Sequence, residues 1–333
     1  MAQLLAGTLR LDDHVNSDAY LQDPYVIWAQ LRLEDPIQWS DKLSAWVVTS
    51  YSLVKQAGKH PCIGGGSDRA SNHVAKFSID ERKQLEPLVG YYSRFMSYMN
   101  PPEHSTQRAF LSEAFTRRVV ENLRPAIQSR VEELIDSNLA RGRMDILIDF
   151  ALPLSSSIIL EMLGIQSADR QTFIEWIANA FAFLGSDQSD FKIAKRAMDS
   201  YLEMSLYLES VINNHRLNPR DDLVGALLNL QRHEPNLTDA RLLPLLVTVI
   251  HGGWETTTTL IVNGTLNLLS HPKQWNRLRD APSVLKSAIG EILRFDGPFK
   301  GVTRAAQLSF EWEGRRIQSG DSIILMLAAA NRD

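Results

Sequence analysis

The segment from Asn236 to Pro272, NLTDARLLPLLVTVIHGGWETTTTLIVNGTLNLLSHP, constrains the fold more than any other part of the chain. Apolar residues recur along it at three- and four-residue spacing. Thr238 stands where an N-cap belongs and Pro272 marks the stop, so the pattern predicts one very long helix. A helix this apolar is buried along most of its length. Its centre contradicts its ends. In HGGWETTTTL, residues 251–260, two glycines and four β-branched threonines are all poor helix formers. Two readings are open. The glycines could permit a close contact between helices. Alternatively, Gly252 and Gly253 weaken the hydrogen-bond ladder and a threonine hydroxyl replaces a lost backbone partner, so that the helix widens or kinks. The second reading makes room for a small ligand beside Glu255 and Thr256, a carboxylate and an alcohol suited to relaying protons.

The rest of the chain supports a mainly helical fold with minor sheet. From about Pro101 to Leu269 the pattern is mostly helical, as in RPAIQSRVEELIDSNLARG and LPLSSSIILEMLGI. AWVVTSYSLVKQAG at 45–58 reads as a strand running into a helix, and HPCIGGGSDRAS at 60–71 as a flexible loop. FEWEGRRIQSGDSIILML reads as two strands around glycine-containing turns. With 333 residues, 44% of them hydrophobic, a large core is available in one large domain or two average ones. The 35 basic and 39 acidic residues leave a net charge of −4, which gives no electrostatic case for nucleic-acid binding. The single cysteine, Cys62, rules out an intrachain disulfide framework and fits a reducing cytoplasm. The start, MAQLLAGTLRLDDH, lacks the features of a signal peptide, and no segment has the apolar length of a membrane span. The expectation is a cytoplasmic protein.

Two further segments carry candidate chemistry. In NPPEHSTQRAFLSEAF the prolines suit a loop and first helical turn, and His104 and Arg108 then lie four apart on one helix face. Such a pair is either a solvated basic face or a clamp for an anionic group, since both side chains donate hydrogen bonds to a carboxylate. In EILRFDGPFKGVTRAA, Glu291 and Arg294 stand at i,i+3, which by itself is a surface ion pair of small value. His251 and Glu255 are at i,i+4, but no HExxH or CxxC accompanies them. GGGSDR lacks the Gly-Lys-Ser/Thr of a phosphate loop, and no Gly-x-Ser-x-Gly elbow is present.

Taken in order, PPEHSTQR, GGWETT, EILR, Arg304 and AAANRD resemble the soluble, bacterial-type cytochrome P450 family of haem-thiolate monooxygenases. DPYVIWAQLR, WVVTSYSLV and RDDLVGALLNL extend the resemblance through nearly the whole chain. It implies a single cytochrome P450-like domain over residues 1–333, incomplete at its C-terminus. His104, Arg108 and Arg304 match the positions that hold the haem propionates. Gly252, Gly253, Glu255 and Thr256 match the oxygen-binding helix motif, whose acid and alcohol deliver protons for oxygen activation. Glu291 and Arg294 match the Glu-x-x-Arg pair that braces the proximal side. Asn100 stands where the family usually has Asp, and Gly252 where it usually has Ala. The resemblance further implies a haem cofactor, electrons from NAD(P)H through a ferredoxin-type donor, and insertion of one oxygen atom into an apolar small molecule. Substrate would be read through the loop around 60–95, the region around 170–190 and the strand near 299–303.

The resemblance also marks an absence. The chain stops at LMLAAANRD, before the Phe-x-x-Gly loop with the proximal cysteine and the helix after it. The fold expected is therefore a cytochrome P450 fold without its haem-ligand segment, with no protein ligand assigned to the metal. Cys62 matches an early loop and not the ligand position. Part of the long helix's apolar face would be left open, a surface that predicts association, aggregation or a partner chain. The expected activity is that of a monooxygenase fragment, inactive alone for want of its thiolate. The alternative is a haem-free relative acting as a helper protein that stabilises a partner enzyme.

Overall fold

A computed structural model describes residues 9–15, 17–66, 69–165, 167–185 and 188–333. The amino-terminal reading at residues 1–8, and Ser67 and Asp68 of the glycine-rich loop, lie outside the described residues. The chain packs as two compact units. One joins the amino-terminal 66 residues to Asn263–Asp333, and the other is Ser67–Val262.

The first unit is organised by a five-stranded sheet of order β1-β2-β7-β4-β3. Its strands are β1 (Ile37–Ser40), β2 (Ala45–Val48), β3 (Ile63–Gly64), β4 (Val302–Ala306) and β7 (Ser322–Leu325). The pairing of β2 with β7 is parallel, the others antiparallel. Thus β2 does run into a helix, Tyr51–Ala57, and the glycine-rich loop contributes the short strand β3. Ile37, Val48, Trp312, Ile317, Ile323 and Leu325 form one core of this unit. A second gathers Trp28 and Leu31, from the Asp23-capped helix Pro24–Glu34, with Val47, Met326 and Ala328. The segment FEWEGRRIQSGDSIILML makes three strands where two were expected: β5 (Phe310–Trp312), β6 (Arg315–Ile317) and β7. Glu313 (φ 49°) and Gly314 (φ 71°) are both left-handed, as a tight two-residue hairpin turn requires. That turn takes only two residues, so an extra strand fits into a stretch too short for it on average spacing.

The second unit is helical. Its longest helix, Phe191–Leu217, is capped by Asp190, which accepts from the Lys192 and Ile193 amides. Ala194, Ala197, Tyr201, Met204, Leu208, Val211 and His215 recur every three or four residues and are buried, so one continuous stripe faces the core. They meet Tyr92, Phe173, Phe183, Leu223 and Ile250 in the largest apolar cluster of the chain.

At the end of that helix lies a buried polar junction. His215 Nδ1 donates to the Val211 carbonyl (2.8 Å), and Nε2 meets Asp222 Oδ2 (2.8 Å). The other carboxylate oxygen of Asp222 caps the next helix, Leu223–Gln231, by accepting from the Gly225 amide. Gly164, with φ +64°, presses its α-carbon against this pair. A methyl group there would stand 2.6 Å from Asp222 Oδ2 and 2.7 Å from His215 Nε2.

Candidate functional site

The long helix expected from the sequence is two helices, Asp239–Gly253 and Glu255–Ser270, interrupted at Trp254. The two glycines of the pair have different surroundings. A methyl group on Gly253 would come within 2.2 Å of Ile159 Cδ1, so this glycine permits close approach of the Leu152–Met162 helix. Gly252 has open space on its side: nothing lies within 4 Å of where its methyl group would be. The distortion is repaired as the threonine run suggests. Thr256 Oγ1 donates to the Gly252 carbonyl (2.6 Å), and Thr258 Oγ1 donates to the Trp254 carbonyl (2.9 Å). The role of Thr258 was missed in the sequence, because nothing there marks Trp254 as the interrupted position.

Glu255 opens the second helix beside this break, and partial burial raises its carboxyl above the usual range. Two residues before the break's edge, His251 is enclosed by the rings of Phe95 (5.1 Å), Phe181 (4.9 Å) and Tyr201 (5.6 Å). Its Nε2 lies 3.2 Å from the Tyr201 hydroxyl. Burial pushes its pKa down to about 4, so the ring is neutral at pH 7. An i,i+4 relation to Glu255 predicted none of this, because the enclosing rings come from residues 50 to 156 positions away in sequence, and only folding gathers them.

His104 and Arg108 lie on one face of the helix Glu103–Ala114 as expected. Arg108 is exposed and His104 half-buried, and among the described residues neither side chain has a hydrogen-bond or ion-pair partner. Their donors are free for an anion. In the first unit, Arg304 sits on β4 opposite Ile323. It donates to its neighbour's carbonyl at Thr303 (3.0 Å), and burial lowers its pKa. It has no carboxylate partner among the described residues. Glu291 and Arg294 form a two-pronged pair (2.8 and 2.6 Å), and Arg294 also donates to the Asn331 carbonyl (2.5 Å). That last bond ties the Leu285–Asp296 helix to the chain's final turn. The pair is largely exposed, so the arginine acts here through geometry more than through ion-pair energy. In this unit Leu266, Leu269, Ile289 and Leu293 are exposed. Cys62 lies in a turn with its amide on His60 Nδ1 (3.2 Å). Among the described residues no three His, Cys, Asp or Glu side chains gather as metal ligands. None of their helices is long and apolar enough to cross a membrane.

The sequence profile of the cytochrome P450 family matches residues 69–333. The chain belongs to the cytochrome P450 family. A cytochrome P450 of Priestia megaterium, CYP107DY1, is 36% identical over 299 residues, a match that covers 87% of this chain and 70% of that protein. The cytochrome P450 monooxygenase PikC of Streptomyces venezuelae is 33% identical over 323 residues, covering 94% and 72%. Among solved structures, P450BioI in complex with an acyl carrier protein ligated to hexadec-9Z-enoic acid superposes with a TM-score of 0.83 at 28% identity. That match covers 95% of this chain and 80% of P450BioI. The mainly helical cytochrome P450 fold, with its minor sheet, is thereby established for this chain.

Proposed function

We propose that this chain serves haem-dependent monooxygenation of an apolar small molecule. The observation that carries the reading is the break at Trp254: open space beside Gly252, a threonine hydroxyl turned back onto the Gly252 carbonyl, and Glu255 with a raised carboxyl. When bound, haem supplies activation of dioxygen with electrons that the resemblance assigns to NAD(P)H and a ferredoxin-type donor.

The donor set fits such a group. Its carboxylates need cationic donors, and in the helical unit His104 and Arg108 have side chains without a carboxylate partner among the described residues; taken by itself, Arg304 of the other unit has none either. A planar apolar body needs a place where side chains stand back, and Gly252 offers one. No residue of the chain is assigned as a thiolate ligand.

The residues at the break then have separate tasks. Thr256 spends its proton on the Gly252 carbonyl, so the hydroxyl presents lone pairs and accepts. Glu255, whose affinity for a proton is raised by burial, holds and releases one closer to neutral pH than a free carboxyl does. His251 stays neutral among aromatic rings and keeps a charge away from an apolar substrate. Glu291 and Arg294 position the end of their helix.

The test joins the chain to a cytochrome P450 C-terminal segment that carries the family's cysteine loop and supplies haem. The expected product binds one haem and gives a carbon monoxide complex of thiolate type. In it, His104→Ala with Arg108→Ala weakens haem binding about tenfold or more, as loss of charge-assisted hydrogen bonds does. A well-folded but colourless fusion refutes the reading.

A further inference from the structure

In the helical unit, the Arg117–Leu139 and Leu152–Met162 helices and the start of Arg170–Leu184 line an open recess of about 420 Å³. Its polar lining includes Ser129, Arg130, Glu133, Glu161 and Arg170. Two guanidinium groups dominate it, and the Nε–H of each is buried with no acceptor. Buried donors in native proteins nearly always have partners, so two orphans on neighbouring cations need an explanation. Arg130, only 18% exposed, gives Nη1 to Glu133 Oε1 (2.6 Å) and nothing to balance Arg170. Burial, and after it the charge of Arg130, lowers the pKa of Arg170. Glu133 is the carboxylate that opposes this repulsion, and it is mostly exposed.

Arg170 is also the first residue of a fifteen-residue helix whose leading amides have no side-chain cap. Asp169, in the capping position, turns its carboxylate to the Tyr207 hydroxyl instead. The dipole end of that helix thus adds to the positive character of the recess wall. A trapped water could accept one Nε–H, but it neutralises nothing. A carboxylate offers two oxygens, whereas the wall offers two Nε–H groups, the remaining guanidinium N–H groups and the Ser129 hydroxyl. A tetrahedral oxyanion matches that number of donors better. Glu161, on the rim and in no ion pair among the described residues, opposes an anion and sets a modest affinity.

We propose that this recess binds a phosphate group between Arg130 and Arg170, held by the two orphaned Nε–H donors. The site is separate from the helix break and does not depend on haem. The group is either free phosphate or the end of a small phosphomonoester, for which the recess has room.

The experiment titrates the 333-residue chain with inorganic phosphate and with glycerol 3-phosphate at constant ionic strength, following the arginine Nε–H resonances and the heat of binding. Saturable binding is expected, with the Arg130 and Arg170 Nε–H signals moving together. Arg170→Gln should weaken it at least tenfold, and Arg170→Lys, which keeps the charge but not the Nε–H, should weaken it less. Glu161→Gln should tighten it several-fold by removing the rim charge, while Arg118→Gln, which breaks a surface pair with Asp221, should change nothing. Tighter binding of the ester identifies a phosphomonoester as the ligand, and equal binding identifies free phosphate. Non-saturable titration, or binding unchanged in both Arg170 variants, overturns the proposal. The Lys variant covers the case in which the Gln variant does not fold.

Discussion

Replacing Gly164 by alanine tests whether the His215–Asp222 junction is held in place by a glycine that nothing else can replace. Two costs are readable from the structure. The backbone at φ +64° is left-handed, which costs an alanine about 1–2 kcal/mol. The new methyl group would stand 2.6 Å from Asp222 Oδ2 and 2.7 Å from His215 Nε2, well inside contact distance. Relief requires Asp222 to move, and it is bound to two partners at once: the His215 ring and the Gly225 amide. Loss of the buried ring contact costs about 1.5–3 kcal/mol and loss of the cap about 0.5–2 kcal/mol. Since the carboxylate can save part of one bond by rotating, a total near 3–5 kcal/mol is expected.

Gly142 supplies the control. Its φ is +63°, almost the same, but nothing lies within 4 Å of its added methyl group. Gly142→Ala should therefore show only the backbone cost of about 1–2 kcal/mol. Urea unfolding followed by far-ultraviolet circular dichroism gives both values, and their difference isolates the junction at about 2–3 kcal/mol. If the two variants unfold within about 0.5 kcal/mol of each other, the junction is not under the constraint inferred.

Three other perturbations follow from the same structure. Because burial raises the folded pKa of Glu255, ionising it costs stability as pH rises from the usual carboxylate range through the raised value; Glu255→Gln should lose that dependence. Melting temperatures of the two proteins that stay parallel from pH 4 to pH 8 would contradict this. His251 works in the opposite direction: with its folded pKa near 4 against 6.5 unfolded, its contribution is complete above pH 6.5 and lost as pH falls toward 4. His251→Phe should flatten the acid limb of stability, and a proton titration of its ring by NMR with a midpoint near 6.5 would rule out the buried, neutral ring. Asp190→Ala removes the two amide partners at the head of the Phe191–Leu217 helix and should cost about 1 kcal/mol, read by urea midpoint; a loss below about 0.3 would show that the cap is not formed in solution.

Local chemistry was legible in the sequence. Thr238 and Pro272 bound the long apolar segment, and the helix pair between them starts after Thr238 and ends at Ser270. The placement of His104 and Arg108 on one face follows from helical spacing alone. The helical fold with minor sheet follows from periodicity, and the family from the ordered series of short motifs. Tertiary structure decided the rest. It decided that Gly253 is the glycine of close approach and Gly252 the one facing open space, since that depends on where Ile159 lies. It split the predicted long helix at Trp254, because propensity ranks residues without stating which hydrogen bond is given up. Orphaned donors on Arg130 and Arg170, and the rings around His251, depend on side chains distant in sequence meeting out of water. Spacing reports what one element can present, whereas burial and partnership are properties of packed neighbours, and these fix proton affinity and the space left for a ligand.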